Sequence, residues 1–191
     1  MKMRLLPVVG AVLLLSVGTA CSSSSSDSSE AASQGVVSVD SFNGLDVGTD
    51  VAVELTVKPG STQKVEVEAS SGSVTTEVSD QVLTLGQNGD DGKATITIPE
   101  LKSIRLTDGS ILTATGEADT YSLTLVSGTE ARAKDLKAKT VNVDFTSGSI
   151  AEISATDTVT GTLNDGSELT VSGGADTSSV QVGDGSEVST G

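Results

Sequence analysis

The sequence predicts an all-β fold: a β-solenoid of about 19-residue coils, parallel β-helix-like, behind a strand-rich N-terminal cap. Three observations carry this. A D/S-G-S/T motif returns five times at nearly constant spacing. The stretches between its copies alternate apolar and polar residues. No window beyond the first 20 residues carries a 3.6-residue apolar stripe.

The chain opens on MKMRLLPVVGAVLLLSVGTAC. Lys2 and Arg4 precede an apolar run from Leu5 to Val17, and Gly18, Thr19 and Ala20 lead into Cys21. About 13 apolar residues rise only about 20 Å as a helix, short of a hydrocarbon core of about 30 Å. Residues 1–20 therefore read as a signal peptide rather than a membrane span. Cys21 is the only cysteine, so it has no internal disulfide partner. Its position resembles the lipobox of bacterial lipoproteins, with Gly18 where Leu or Val is usual. The resemblance implies lipidation of Cys21 and anchoring on the outer face of the cell membrane. A free or buried thiol, or non-lipid cleavage after Ala20, are the other readings. Residues 21–35 then form a lipidated cysteine and a Ser-rich tether, which has nothing to bury. Its 14 residues from Ser22 to Gly35 span at most about 45 Å when extended. Loss of Lys2 and Arg4 with the leader takes the formal charge from −15 to −17, which holds the body away from anionic headgroups.

Residues 36–191 make the body, with N-terminal strands over 36–100 and repeats over 101–191. VAVELTV (51–57) and QKVEVEA (63–69) flank Lys58-Pro59-Gly60, which predicts a hairpin. VTTEV (74–78), VLTLG (82–86) and KATITIP (93–99) continue as strands, and together they are expected to cover one end of the solenoid and share its core. A cover is needed because an open sheet end invites pairing with other chains. The C-terminal side shows no comparable cover.

The repeats read LTDGSIL, LVSGTEA, FTSGSIA, LNDGSEL and VGDGSEV. Their glycines, Gly109, Gly128, Gly148, Gly166 and Gly185, are 19, 20, 18 and 19 residues apart. SSGSVTT around Gly72 is a candidate displaced copy. Each glycine separates two short alternating stretches, with Leu123, Leu125, Val141, Val143, Phe145, Val159, Leu163, Val180 and Val182 as inward candidates. A unit this small cannot bury its own apolar side, so successive units must stack. The glycine supplies a bend at positive φ or a close backbone approach, and the flanking Asp or Ser can bond neighbouring amides.

Taken together, FNGLDVGTDVAVELTV, TITIPELKSIRLTDGS and the serial SG and DG steps resemble the bacterial auto-transporter adhesin head GIN domain family (DUF2807). The resemblance spans residues 36–191. Phe42, Gly44, Val47, Gly48, Pro99, Leu101 and the glycine series carry it. In that family the repeat usually reads G-S-G, whereas here it has become D-G-S or S-G-S. The resemblance implies a β-helical envelope protein with adhesion as its role.

Composition narrows the chemistry. The chain has no His, which removes Ser-His-Asp and Cys-His catalysis and His-ligated metals. A charge of −15 and only three aromatics argue against nucleic acid. Asp90, Asp91, Asp108, Asp165 and Asp184 lie in glycine turns, but their spacing fits neither an EF-hand nor the G-G-x-G-x-D nonapeptide. Asp108 and Asp165 would also sit three coils apart, roughly 14 Å. Turn capping and solubility are their expected role, and no metal or other cofactor is expected. A carboxylate pair for glycan cleavage needs a groove and stacking aromatics, and Phe42, Tyr121 and Phe145 are the only ones available. Tyr121 and Phe145 read as core. Arg132, Lys134, Lys137 and Lys139 form one basic run, RAKDLKAK, which reads as a solvated face or a dock for an anionic wall polymer.

The expectation is a non-catalytic, lipid-anchored envelope protein presenting a strand face to a cell-wall glycan or envelope protein, as an adhesin or envelope organiser. An envelope-stress or signalling accessory working through a protein partner is the alternative, and a degenerate polysaccharide-active protein a third.

Overall fold

Period-2 alternation of β-branched residues builds the N-terminal strands β1 (Glu30–Ala32), β2 (Gln34–Val37), β3 (Gly44–Val47), β4 (Val51–Val57), β5 (Lys64–Ala69), β6 (Ser73–Ser79), β7 (Val82–Asn88) and β8 (Gly92–Ile98). The repeat region supplies β9 (Ser103–Leu106), β10 (Ile111–Leu125), β11 (Glu130–Phe145), β12 (Ile150–Leu163), β13 (Glu168–Ser172), β14 (Asp176–Val182) and β15 (Glu187–Thr190). The computed structural model describes residues 30–191 except Ser33 and Asp90. The leader and Cys21 lie outside the described residues. Among the described residues there is no helix, and the strands form one large mixed sheet of 15 strands.

Two ladders run through this sheet. One passes through β1, β6, β7, β3, β9, the C-terminal halves of β10, β11 and β12, and β14. The other passes through β2, β5, β8, β4, the N-terminal halves of β10, β11 and β12, then β13 and β15. Pairing is parallel from β7 and β8 onward and antiparallel where β5, β6, β1 and β2 join. The repeat sets the register. Leu106, Leu125, Phe145, Leu163 and Val182 are successive partners, and so are Ile111, Glu130, Ile150, Glu168 and Glu187. Both series step by 19, 20, 18 and 19, like the glycines.

The two stretches flanking each glycine remain separate strands, but the stretch after Gly109, Gly128 and Gly148 runs on into the stretch before the next glycine. β10, β11 and β12 run unbroken for 14 to 16 residues and change ladder midway, where the register shifts. A bend without loss of ladder bonds needs no loop, so no loop residues mark it in the sequence.

The expected hairpin over 51–69 is corrected. Lys58-Pro59-Gly60 does turn, with the Ser61 amide donating to the Lys58 carbonyl at 3.0 Å. β4 and β5 do not pair, however, because β8 lies between them, parallel to β4 and antiparallel to β5. The N-terminal hairpin is β6–β7 instead. Its two-residue turn places Asp80 at φ 50° and Gln81 at φ 63°, both left-handed as a type I′ turn requires. Asp-Gln is a weaker signal for that turn than Asn-Gly or Asp-Gly.

Inward side chains from both ladders form one apolar cluster from Val37 to Ala175. Leu123, Leu125, Val141, Val143, Phe145, Val159 and Leu163 are buried as expected, and Tyr121 joins them. Two expected inward residues depart from that pattern. Val180 is half-buried and Val182 is 49% exposed, since no further strand covers them among the described residues.

Candidate binding surface

The turn that closes each repeat demands two left-handed residues rather than one. Asp108, Ser127, Ser147 and Asp165 stand at φ 50–63° immediately before Gly109, Gly128, Gly148 and Gly166 at φ 69–78°. Asp tolerates this region better than most side chains. At the last repeat only Gly185, at φ 69°, is left-handed. Gly72 also has a positive φ, 75°, and packs on the Asn88–Gly89 corner of the neighbouring antiparallel strands. It bends the chain between β5 and β6, but with no left-handed residue before it and only a half-buried Ser73 after it.

The residue after each of the first four glycines points inward, whereas Ser186 after Gly185 is half-buried. Ser110, Thr129, Ser149 and Ser167 are at most 1% exposed. Ser110, Ser149 and Ser167 donate their hydroxyls to the carbonyls of Thr107, Thr146 and Asn164 at 2.7–2.9 Å. Thr129 Oγ1 donates to Ser149 Oγ at 3.3 Å, linking adjacent turns. This buried hydroxyl line was not read from the sequence as interior. The invariant S/T of the motif was its only signal.

The two ladders present different outer faces. The β9–β14 face carries Ser103, Arg105, Ser122, Thr124, Asn142, Asp144, Thr160, Thr162, Ser179 and Gln181, partner above partner. Hydroxyls and amides dominate it, and Thr162 Oγ1 donates to Asp144 Oδ1 at 2.9 Å. The opposite face carries Glu130, Arg132, Glu152, Glu168 and Glu187 together with Thr113, Thr170 and Ser189, and Ile111 and Ile150 are partly exposed among them.

The basic run RAKDLKAK is largely matched by acids. Arg132 meets Glu130 at 2.7 Å, Lys134 meets Glu152 at 3.8 Å and Lys139 meets Asp119 at 2.7 Å. Lys139 holds the Asp119 carboxyl below the usual carboxylate range and is itself raised in return. Among the described residues Lys137 makes no ion pair. Leu136 and Ala138 within the run are buried. The acidic turn residues do not converge: among the described residues no three carboxylates or thiols gather to hold a metal. The Ser178 amide, donating to Asp176 Oδ1 at 2.8 Å, holds the Asp176 carboxyl below the usual carboxylate range.

All three aromatics are interior, Phe42 at 5%, Tyr121 at 1% and Phe145 at 0% exposure. No ring therefore faces solvent to stack a sugar. The Tyr121 hydroxyl is buried without a hydrogen-bond partner among the described residues, and desolvation raises its pKa strongly. An open cleft of about 510 Å³ is lined by Pro59, Pro99, Lys102, Glu117 and Asp119, where Lys102 pairs with Glu100 and Asp119 with Lys139 outside the lining.

Stacked strands with repeated glycine corners and a continuous apolar interior define an all-β repeat protein. The chain belongs to the family described as "Putative auto-transporter adhesin, head GIN domain" (DUF2807). Its model matches residues 41–113 and again 104–175, more than half of the chain. No curated protein matches the chain. Among solved structures it is similar to a putative adhesin from Bacteroides fragilis (12% identity, 86% of this chain and 96% of that one, TM-score 0.47). A putative adhesin from Parabacteroides merdae is 14% identical over 83% of this chain and 95% of its own, with TM-score 0.37. A putative lipid binding protein from Parabacteroides distasonis is 11% identical over 85% and 96%, with TM-score 0.34.

Proposed function

We propose that this protein is a non-catalytic, exported lipoprotein whose body is a two-faced β-solenoid and whose β9–β14 face binds a neutral, hydroxyl-rich polymer such as an envelope or cell-surface glycan. The observation that carries the reading is the composition of that face. Ser, Thr, Asn and Gln repeat from strand to strand at about 4.8 Å, with few charges among them. Such groups exchange hydrogen bonds with hydroxyls, and because each is held by a rigid strand, little ordering entropy opposes binding. The opposite face carries more charge, four carboxylates and Arg132 among its hydroxyls and isoleucines. Membership in the adhesin family supports the same direction.

In this reading residues 1–20 are removed, Cys21 carries diacylglyceryl and palmitate-type chains, and the Ser-rich segment holds the body off the membrane. Two or more acyl chains anchor stably where one does not. The N-terminal strands then face the membrane and the repeats extend outward, each layer adding about 4.8 Å.

The test has two arms. Cys21→Ser should abolish incorporation of labelled palmitate and move the protein from the membrane fraction to the soluble or precursor fraction. Retention in the membrane would overturn the anchor. For the face, Thr124→Lys with Thr160→Glu should abolish retention of purified wall or surface glycans, while Arg132→Gln with Glu168→Gln should not. Loss only in the second pair would overturn the assignment of the face.

A further inference from the structure

The geometry points to the free edges of β14 and β15 as a docking site for a Lys- or Arg-bearing extended segment of another protein, which would add to the sheet as a further strand. Among the described residues β14 pairs only with β12 and β15 only with β13. The amides of Gly183, Glu187 and Gly191 donate back to Leu163, Ser167 and Val171 at 2.7–3.0 Å. Strand amides alternate in direction, so those of Val182, Val188 and Thr190 face away from the stack, ready for a partner backbone.

The apolar interior is unfinished at the same place. The column Leu106, Leu125, Phe145, Leu163 is fully buried, and its next member, Val182, is 49% exposed. Val180 and Val188 are only partly covered. The other end shows what a cover looks like in this fold. There β5 and β6 lie antiparallel across β8 and β7 and place Val65, Val67 and Val74 over the core.

Charge selects the occupant. Lys139 is the last basic residue, and eight Asp and Glu follow it. Every ion pair among the described residues lies at or before Glu152. Glu168 and Glu187 are register neighbours on the outer face, like charges side by side, and the corners add Asp165 and Asp184. A second copy of this edge would bring the same carboxylates together, which opposes self-pairing. A strand alternating apolar and basic residues would cover Val182 and Val188 on one side and meet the carboxylates on the other.

The experiment measures binding of a labelled ten-residue peptide of alternating Val and Lys to the full chain by fluorescence anisotropy. The expected result is binding that falls at least tenfold with Thr190→Pro, which removes an outward donor without touching the ladder to β13, and with Glu168→Gln plus Glu187→Gln. Glu54→Gln plus Glu66→Gln should leave it unchanged. A peptide of the same charge interrupted by Pro should not bind. Equal binding of the interrupted peptide, or indifference to both terminal variants, would overturn the proposal. So would sedimentation showing a dimer of the wild-type chain that Thr190→Pro dissociates, since a second copy would then hold the edge. Should Thr190→Pro fail to fold, the carboxylate pair decides alone.

Discussion

At Gly161 a Cβ would stand 1.8 Å from the Val143 carbonyl oxygen, and at Gly148 it would meet nothing within 4 Å. Both stand at positive φ, Gly161 at 129°, but only Gly161 is also closed off by backbone. Gly148, at φ 70°, is held by conformation alone, so the cost of replacement depends on how badly the new residue tolerates the left-handed region. Gly148→Val should cost about 2 kcal/mol and Gly148→Asn only a small fraction of that. Gly161→Ala should cost more than about 2 kcal/mol despite the smaller side chain, because the obstacle is backbone in the paired strand. Urea midpoints of the three variants check this ordering. Equal midpoints for Val and Asn at 148 would remove the conformational argument, and a wild-type midpoint for Gly161→Ala the steric one. Gly148 was legible in the sequence because its motif recurs. Gly161 was not, because it interrupts an alternating strand with no motif around it, and its φ of 129° and the parallel approach of Val143 emerge only in the fold.

At the scale of the element, the strands were readable and their pairings only partly so. Alternation is a local property, and β4, β8 and the halves of β10, β11 and β12 all display it. Parallel register was also legible, because the repeat itself counts the offset between partners. The N-terminal pairings were not, since nothing local in VAVELTV tells it to take KATITI as neighbour rather than the closer KVEVEA. The corner element hides one further feature, the buried hydroxyl line. Ser149 Oγ both donates to Thr146 and accepts from Thr129, so Ser149→Ala removes one bond and leaves the Thr129 hydroxyl buried without its acceptor. A buried unsatisfied hydroxyl costs about 1–3 kcal/mol. Ser149→Ala should therefore destabilise by that amount in chemical denaturation, whereas Ser122→Ala on the outer face should change little. Equal effects would mean that the line contributes no more than surface hydroxyls do.

For the whole molecule, stability follows position along the stack. Each strand layer in the repeats contacts mainly the layers before and after it, so its protection is the sum of two interfaces inside the stack and one at the end. The layer of β11 and β12 buries Val141, Val143, Phe145, Ile153 and Val159 between neighbours on both sides. The layer of β14 and β15 buries no large side chain fully and pairs on one side only. Among the described residues its carboxylates also lack the ion pairs that neutralise those nearer the N-terminus. Opening of the last layer should therefore need only a fraction of the global unfolding free energy. Hydrogen exchange under native conditions checks this. Amides of 179–190 should exchange at least about a hundredfold faster than those of 141–163, a difference of roughly 2.7 kcal/mol in opening free energy. The amides of β5 and β6, covered by β2 and β1, should group with the slower set, although they too lie toward one end. Uniform protection from β9 to β15 would show the stack opening as a single cooperative unit. The unpaired edge would then be as firmly held as the interior, and the contrast between a covered and an uncovered end would have no energetic content.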